Sequence, residues 1–535
     1  MTYEEAYAAA RDEAQLIELD RATKKFIDRF KKFKHEGRQT VFLFPGGLGS
    51  QLKRSQKRYE EGDCPDPSTY KCVWLNGDTF IGAALYLRMK RVNGVYMEDD
   101  EFIVIAGETV EFLGCTPYDR FVRWCRRRPI DLFIYGYDWR RPLDDTASFF
   151  VTQFLPRFRR QVMEACDGAD PLLNFSLVGH CLGGMLVNWM LRTNHSNVAQ
   201  ARLAITVATP FYGYAGQVGR WFAGEPMLNH LGKLEIVRVI SSFPALYTVN
   251  FLDVATYLAN KSALEDDASE GLYPLRSYPS TDAETGENAD PYNPQTKPGP
   301  LVRYPSQAVT GFGPYELARG HALALFLAEP IRCGSLSAKF FNIRGVLRRR
   351  RGSTIGSTCW GWVHPDFDPT SDASPIKNGP KVPGDGTQPA FTTRLVRQDE
   401  DEQRNNIITV KGFDVEHVFI MNSRGILAKL AGVLGVRTAR KKTKTKTLPR
   451  TASSKDALKF VRDLQKYFEN KKLSPLEVSE AELKFFLNEQ KLPLESLRSI
   501  ARRIMIDLLE PLPTRRSGRK RQATAARARR RSTKS

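Results

Sequence analysis

The stretch FSLVGHCLGGMLVNWML, residues 175–191, constrains the fold more tightly than any other part of the chain. An apolar run of strand character passes through Gly179-His180-Cys181-Leu182-Gly183 straight into an amphipathic helix. A strand that becomes a helix within so few residues needs glycine on both sides of the turn, because the bend brings backbone against backbone where a Cβ would not fit. Such a turn pushes its central side chain out at the top edge of a sheet, the arrangement known as a nucleophile elbow. Serine is the usual occupant; here it is Cys181. The helix that follows aims its positive end at the sulfur and favours a thiolate. Taken alone, the pentapeptide also fits a structural cysteine packed in a glycine-rich turn.

An elbow needs a sheet beneath it, and the chain supplies strand-type runs on either side: TVFLFPGG from Thr40, DLFIYGYDWR from Asp131, RLAITVATP from Arg202, KFFNIRGV from Lys339 and NNIITVKG from Asn405. Their cores are continuously apolar rather than alternating, as expected of strands buried on both faces of a parallel sheet. Helical patterns lie between several of them, including ASFFVTQFL before Pro156, MLVNWMLRTN after Gly184 and ILAKLAGVLG from Ile426. The alternation predicts an α/β fold with a mostly parallel, doubly wound sheet. Segment 3–34, rich in Ala, Glu, Lys and Leu at helical spacing, predicts one or two amphipathic helices ahead of it.

Two regions stand outside this alternation. Residues 221–330 carry helix-like pieces around FPALYTVNFLDVATYLAN, then a polar stretch with prolines from Pro274 to Pro305. They read as a cap over the carboxyl edge of the sheet, loosely ordered in its proline-rich part. Residues 451–510 hold three amphipathic patterns. Ser474-Pro475-Leu476-Glu477 supplies a start signal for the second, and Pro493 separates it from the third, so a small three-helix module is expected. The organisation is thus an amphipathic helix over 1–38, an α/β core over 39–220 and 331–436 interrupted by the cap, and a C-terminal region 437–535 with a disordered tail over 511–535.

Charge separates these parts. The formal net charge is +20, yet residues 437–535 contain 28 Lys and Arg against 10 Asp and Glu, so the body carries only +2. Residues 437–450 and 511–535 hold seven and ten positive charges with no negative ones. Such runs suit an anionic membrane surface or the phosphates of nucleic acid, and otherwise serve as a solvated tail. No helix-turn-helix, zinc-finger or RNA-reading aromatic motif favours nucleic acid. The acidic N-terminus without an apolar core reads neither as a secretory signal nor as a transit peptide, and no apolar stretch approaches the roughly 20 residues of a membrane span. The expectation is a cytoplasmic protein, peripheral at a membrane, whose basic region is a separable attachment. Eight scattered cysteines without metal spacing fit reduced thiols, although Cys64 and Cys72 are placed to pair in an exported chain.

A nucleophile needs an imidazole to take its proton, a carboxylate to orient that imidazole and donors for the oxyanion. After an elbow, the chain order is nucleophile, acid, histidine. PGDGTQPAFTT places Asp385 in a glycine turn and GFDVEHVFIM places His417 in a loop just after the last strand run. FPGGLGSQL follows the first strand, so the N–H of Gly47 pairs naturally with that of Leu182 as an oxyanion hole. An aspartate in a Gly-Asp-Gly turn is also a common Asx-turn residue, and His417 also fits a helix cap. His180 sits within the elbow and reads as a packing or hydrogen-bonding residue that points away from Cys181. No metal or organic cofactor is required.

The residues from about Thr40 to Val436 resemble the lecithin:cholesterol acyltransferase-like family of α/β hydrolases, which includes lysosomal phospholipase A2 and the phospholipid:diacylglycerol acyltransferases. The resemblance rests on PGGLGSQL, YDWR at residues 137–140, GHCLGG, TPFYG after the next strand, GDGT at 384–387 and the Glu416-His417 pair. It implies an α/β-hydrolase fold acting on an acyl lipid, with Cys181 as nucleophile, Asp385 as acid, His417 as base, and Gly47 and Leu182 as oxyanion donors. The departure is the nucleophile, cysteine where the family has serine. Cysteine gives an acyl-thioester, which passes its acyl group readily to acceptors other than water and so leans towards transfer. Polyhydroxyalkanoate synthases, another α/β-hydrolase family, share a cysteine elbow and supply an alternative, polymerisation of hydroxyacyl-CoA. A catalytically silent scaffold that binds anionic surfaces is the other.

Overall fold

The computed structural model describes residues 1–32, 38–63, 66–76, 78–214, 227–250, 253, 255–256, 259, 314–329, 338–348, 356–358, 361–363, 376–378, 381–395, 406–436, 452–473 and 480–508. Six strands form the central sheet: β1 (Gln39–Phe44), β2 (Ile130–Ile134), β3 (Phe175–His180), β4 (Leu203–Val207), β5 (Lys339–Leu347) and β6 (Ile407–Gly412). Their spatial order is β6-β5-β4-β3-β1-β2 and every pairing is parallel. The register sets Leu43 between Ile134 and Val178, and Ile205 between Val178 and Phe341.

β1, β3 and β4 are buried at every position, which is why these segments read as unbroken apolar runs. Successive residues serve opposite faces. Phe42, Phe44 and Leu177 join one apolar cluster, while Val41, Leu43 and Val178 join another. Helices cover both faces, so the molecule is an α/β protein, and the direct turn from β3 into the next helix gives it the α/β-hydrolase layout.

On the first face lies α1 (Tyr3–Phe30), a single helix where one or two were expected. Its start is fixed by a capping box between Thr2 and Glu5. Phe26 and Phe30 near its end meet an aromatic cluster built from Phe42, Phe133, Phe154 and Phe158. On the second face lie α2 (Asp119–Arg126), through Phe121 and Trp124, and the helix Arg424–Val433, through Ile426, Leu427 and Leu430.

Between β1 and α2 the chain makes an antiparallel sheet, Ser50–Arg58 between Lys71–Trp74 and Phe102–Thr109, and a hairpin of Met89–Val92 with Val95–Glu98. The hairpin turns through Asn93 and Gly94, both at positive φ, as a two-residue mirror-image turn requires. In the cap region, Lys233–Ser241, Pro244–Thr248 and Pro314–Ala328 are helical. Gly320 lets the last of these lie against Tyr247, where a Cβ would fall 2.6 Å from the tyrosine Cβ. The proline-rich part of the cap, both basic runs and Cys64 lie outside the described residues. Among the described residues no helix is long and apolar enough to cross a membrane.

The C-terminal helices correct the expectation of a separable attachment. Ser454–Asn470, Glu480–Glu489 and Leu494–Asp507 form a helical unit, but it does not stand apart. Phe460, Val461, Ile500, Ile504, Met505 and Leu508 belong to the same apolar cluster as Phe42, Phe44 and Leu182. Charge bookkeeping along the chain divided it at residue 436, whereas the buried faces of these amphipathic helices tie residues 452–473 and 480–508 to the body.

Candidate active site

The elbow is as tight as its glycines suggest. Cys181 follows β3 directly, with φ 51 and ψ −121, a conformation that costs a non-glycine residue about 1–3 kcal/mol and persists only where the surroundings impose it. Its N–H bonds Val207 O on the neighbouring strand at 2.9 Å, and its carbonyl accepts from Gly184 N at 2.9 Å. A Cβ at Gly179 would lie 2.4 Å from Gly183 O, and one at Gly183 would lie 2.2 Å from Phe44 O. The two glycines therefore allow β3 and the helix α3 (Leu182–Thr193) to close on each other and on β1.

His417 and Asp385 come together although 32 residues separate them. Nδ1 of His417 bonds Oδ2 of Asp385 at 2.6 Å, with both side chains 1% exposed. The backbone doubles the connection, since His417 N–H donates to Asp385 O at 3.0 Å. The other carboxylate oxygen of Asp385 accepts from Thr387 N at 3.1 Å and Gln388 N at 2.7 Å. Asp385 is thus an Asx-turn residue and the partner of His417 at once; the two readings of its turn are not exclusive. His417 opens the 3-10 helix His417–Asn422 rather than lying in a loop.

Nε2 of His417 is buried and makes no regular hydrogen bond among the described residues. Burial acts to lower the imidazole pKa, but the charges of Asp385 and then of Cys181 outweigh it and hold His417 well above its ordinary value. The Nδ1 contact fixes the ring so that Nε2 is the nitrogen left to exchange a proton.

Cys181 and His417 open into one cavity of about 100 Å³ that also meets Gly47, Leu182, Thr387 and Gln388. Asp385 sits behind His417, out of this space. Gly47 and Leu182 are neighbours, since a Cβ at Gly47 would touch Leu182 Cδ2 at 3.5 Å. Leu182 is the first residue of its helix, where a backbone N–H has no acceptor within the helix. The rest of the cavity wall is apolar, with Trp74, Trp139, Phe243 and Leu246 among its residues. Among the described residues no cluster of His, Cys, Asp and Glu is arranged to hold a metal ion.

The YDWR motif explains how the loop carrying Gly47 keeps its shape. Tyr137 OH donates to Pro45 O at 2.7 Å and Trp139 Nε1 to Ser50 O at 3.2 Å, so two residues of the motif grip both ends of the loop. Trp74 Nε1 adds a bond to Leu48 O at 3.1 Å. Asp138 and Glu98 flank Arg140, which is fully buried, at 2.6 and 2.7 Å. Removing either carboxylate would leave a buried charge short of a partner.

Sequence reasoning missed two contributors. One is the C-terminal wall: Leu508 lines the cavity, and Arg502 bonds Glu416, beside His417, at 2.9 Å while its guanidinium lies over the Phe419 ring. The amphipathic pattern marked that helix as packed against something but not against what. The other is Tyr118, whose hydroxyl meets His180 Nδ1 at 2.9 Å; no motif singled it out.

No family model matches the chain, and no curated protein matches it. Among solved structures, a chain of the Tle4-Tli4 complex superposes with a TM-score of 0.43 at 13% identity, over 75% of this chain and 98% of that one.

Proposed function

We propose that the protein is an acyl-transferring or acyl-releasing enzyme that works through a thioester on Cys181. The observation that carries this reading is the 2.6 Å bond from His417 to Asp385 behind a cavity into which Cys181 and His417 both open. A buried imidazole held by a buried carboxylate, beside a sulfur kept in a strained elbow, is difficult to account for as packing alone.

The sulfur attacks an ester carbonyl while His417 holds the thiol proton. Negative charge gathers on the carbonyl oxygen and meets the N–H groups of Gly47 and Leu182. The carbon–oxygen bond breaks, His417 Nε2 gives its proton to the departing alcohol, and the acyl group stays on sulfur. An acceptor alcohol or water then delivers its proton to His417 and attacks the thioester, which restores the thiolate. Transfer prevails over hydrolysis where the apolar cavity admits an acceptor alcohol in preference to water.

The apolar wall suits the acyl chain of a lipid, the substrate class that resemblance to the lecithin:cholesterol acyltransferase-like proteins implies. The basic runs 437–450 and 511–535 would bring such an enzyme to an anionic membrane, at about 1 kcal/mol for each Lys or Arg near the surface. Release of p-nitrophenol from p-nitrophenyl butyrate by wild type and Cys181→Ala tests the chemistry. Loss of turnover in a folded Cys181→Ala supports it, and full activity in that variant overturns it.

A further inference from the structure

A buried hydrogen-bond chain joins the oxyanion loop, the elbow and the histidine loop. Gly46 N–H donates to Tyr118 OH at 2.8 Å, Tyr118 meets His180 Nδ1 at 2.9 Å, and His180 Nε2 meets the carbonyl of His417 at 3.1 Å. Tyr118 is 1% and His180 2% exposed, so the chain is shielded from bulk solvent. Directions follow from the ends. The carbonyl of His417 can only accept, so His180 carries its hydrogen on Nε2 and its Nδ1 accepts from the Tyr118 hydroxyl. The hydroxyl oxygen in turn accepts from Gly46.

His180 remains neutral in this setting. Burial first, and then the nearby charge of His417, push its pKa well below the ordinary histidine value. A neutral imidazole offers one donor and one acceptor, which is what the chain needs; an imidazolium would leave the tyrosine hydroxyl without its acceptor. The titratable groups facing it are Tyr118 and His417, with the two imidazole rings 5.2 Å apart.

We propose that Tyr118 and His180 are positioning residues that fix the Gly46-Gly47 loop and His417 relative to Cys181, so that oxyanion donor, nucleophile and base are held in one frame. Neither residue touches the reacting atoms. The inference rests on the acyl-transfer reading of the site. It also gives the histidine of the elbow a role other than packing: its ring is held between the Tyr118 hydroxyl on one side and the backbone carbonyl of His417 on the other.

The test is steady-state turnover of p-nitrophenyl butyrate by full-length Tyr118→Phe, His180→Asn and His180→Gln, each checked for folding by thermal unfolding. Tyr118→Phe conserves volume and removes only the hydroxyl. We expect kcat to fall about 100-fold with KM unchanged, as misplacement of catalytic groups by about 1 Å does. Glutamine can place a donor near the position of Nε2 and keep the bond to His417, whereas asparagine is too short, so His180→Gln should retain at least tenfold more activity than His180→Asn. Folded Tyr118→Phe and His180→Asn with wild-type kcat would overturn the proposal, as would a loss confined to KM or equal losses in the two His180 variants. Full turnover by Cys181→Ala in the same assay would instead overturn the acyl-transfer reading beneath it.

Discussion

Arg502, on the last helix, donates to the carboxylate of Glu416 at 2.9 Å, and Glu416 directly precedes His417. Six residues further on, Leu508 forms part of the cavity wall shared with Cys181. The end of the described chain therefore reaches the wall of the candidate site, and the last helix is bonded to the residue that precedes the 3-10 helix His417–Asn422.

Removal of everything after Val436 is accordingly predicted to abolish ester turnover and lower thermal stability, because the apolar faces covered by Phe460, Ile504 and Leu508 are laid open. Ile504→Ala alone should cost about 2–5 kcal/mol by urea unfolding. Deletion of residues 511–535 should behave differently, with turnover of soluble esters kept and salt-sensitive binding to anionic vesicles reduced.

The two histidines predict opposite limbs of stability against pH. His180 is held well below its ordinary value of 6.5, so its contribution is present above 6.5 and is withdrawn as pH falls below that value towards its folded pKa. His417 is held well above 6.5; its contribution is complete below 6.5 and is lost as pH rises through its raised value. Each limb has a limiting slope of about 1.4 kcal/mol per pH unit for one proton. Unfolding free energies measured across pH should show His180→Gln flattening the acid limb and Asp385→Asn flattening the alkaline one.

Asp385→Asn should also lower kcat about 10⁴-fold while leaving KM near its wild-type value, because an amide cannot hold His417 in the Nδ1–H tautomer and stabilise its imidazolium. Stopped assays with p-nitrophenyl butyrate are sensitive enough to read the residue of activity. A loss of less than tenfold would argue that Asp385 serves its turn and nothing more.

Two glycine substitutions should shift stability in opposite directions. At Gly179 a Cβ would meet Gly183 O at 2.4 Å, so Gly179→Ala should destabilise by about 2 kcal/mol or more and slow alkylation of Cys181. Gly432, in the helix Arg424–Val433, faces open space, so Gly432→Ala should stabilise by about 0.5–1 kcal/mol. Urea midpoints compare the two directly.

Much of the sheet and the site was legible in the sequence because both are written in local patterns. Largely apolar runs marked all six central strands, although Asn342 and Arg344 interrupt β5 and the edge strand β6 is only partly buried, and the glycines around Cys181 marked the elbow. The antiparallel sheet after β1 was not legible: Ser50–Arg58 is a mixture of polar and charged residues with its burial supplied by neighbours far along the chain. The hairpin at Asn93-Gly94 did carry a two-residue turn signal that passed unread. Tyr118 and Arg502 could not have been placed, since each acts through a partner 62 and 86 residues away respectively. Net charge misled for a similar reason. It separated a basic segment from a neutral body, while the contacts that join them are made by the apolar faces of amphipathic helices, to which a charge count is blind.

A thioester on Cys181 is detected by intact-mass measurement after incubation with a mixed lipid extract. Wild type, Cys181→Ser and Cys181→Ala are compared, each before and after neutral hydroxylamine. Acylation at this sulfur predicts a single acyl mass on wild type that hydroxylamine removes, a hydroxylamine-resistant acyl mass on Cys181→Ser, and none on Cys181→Ala. The same adduct on Cys181→Ala, or no adduct on wild type, would contradict it.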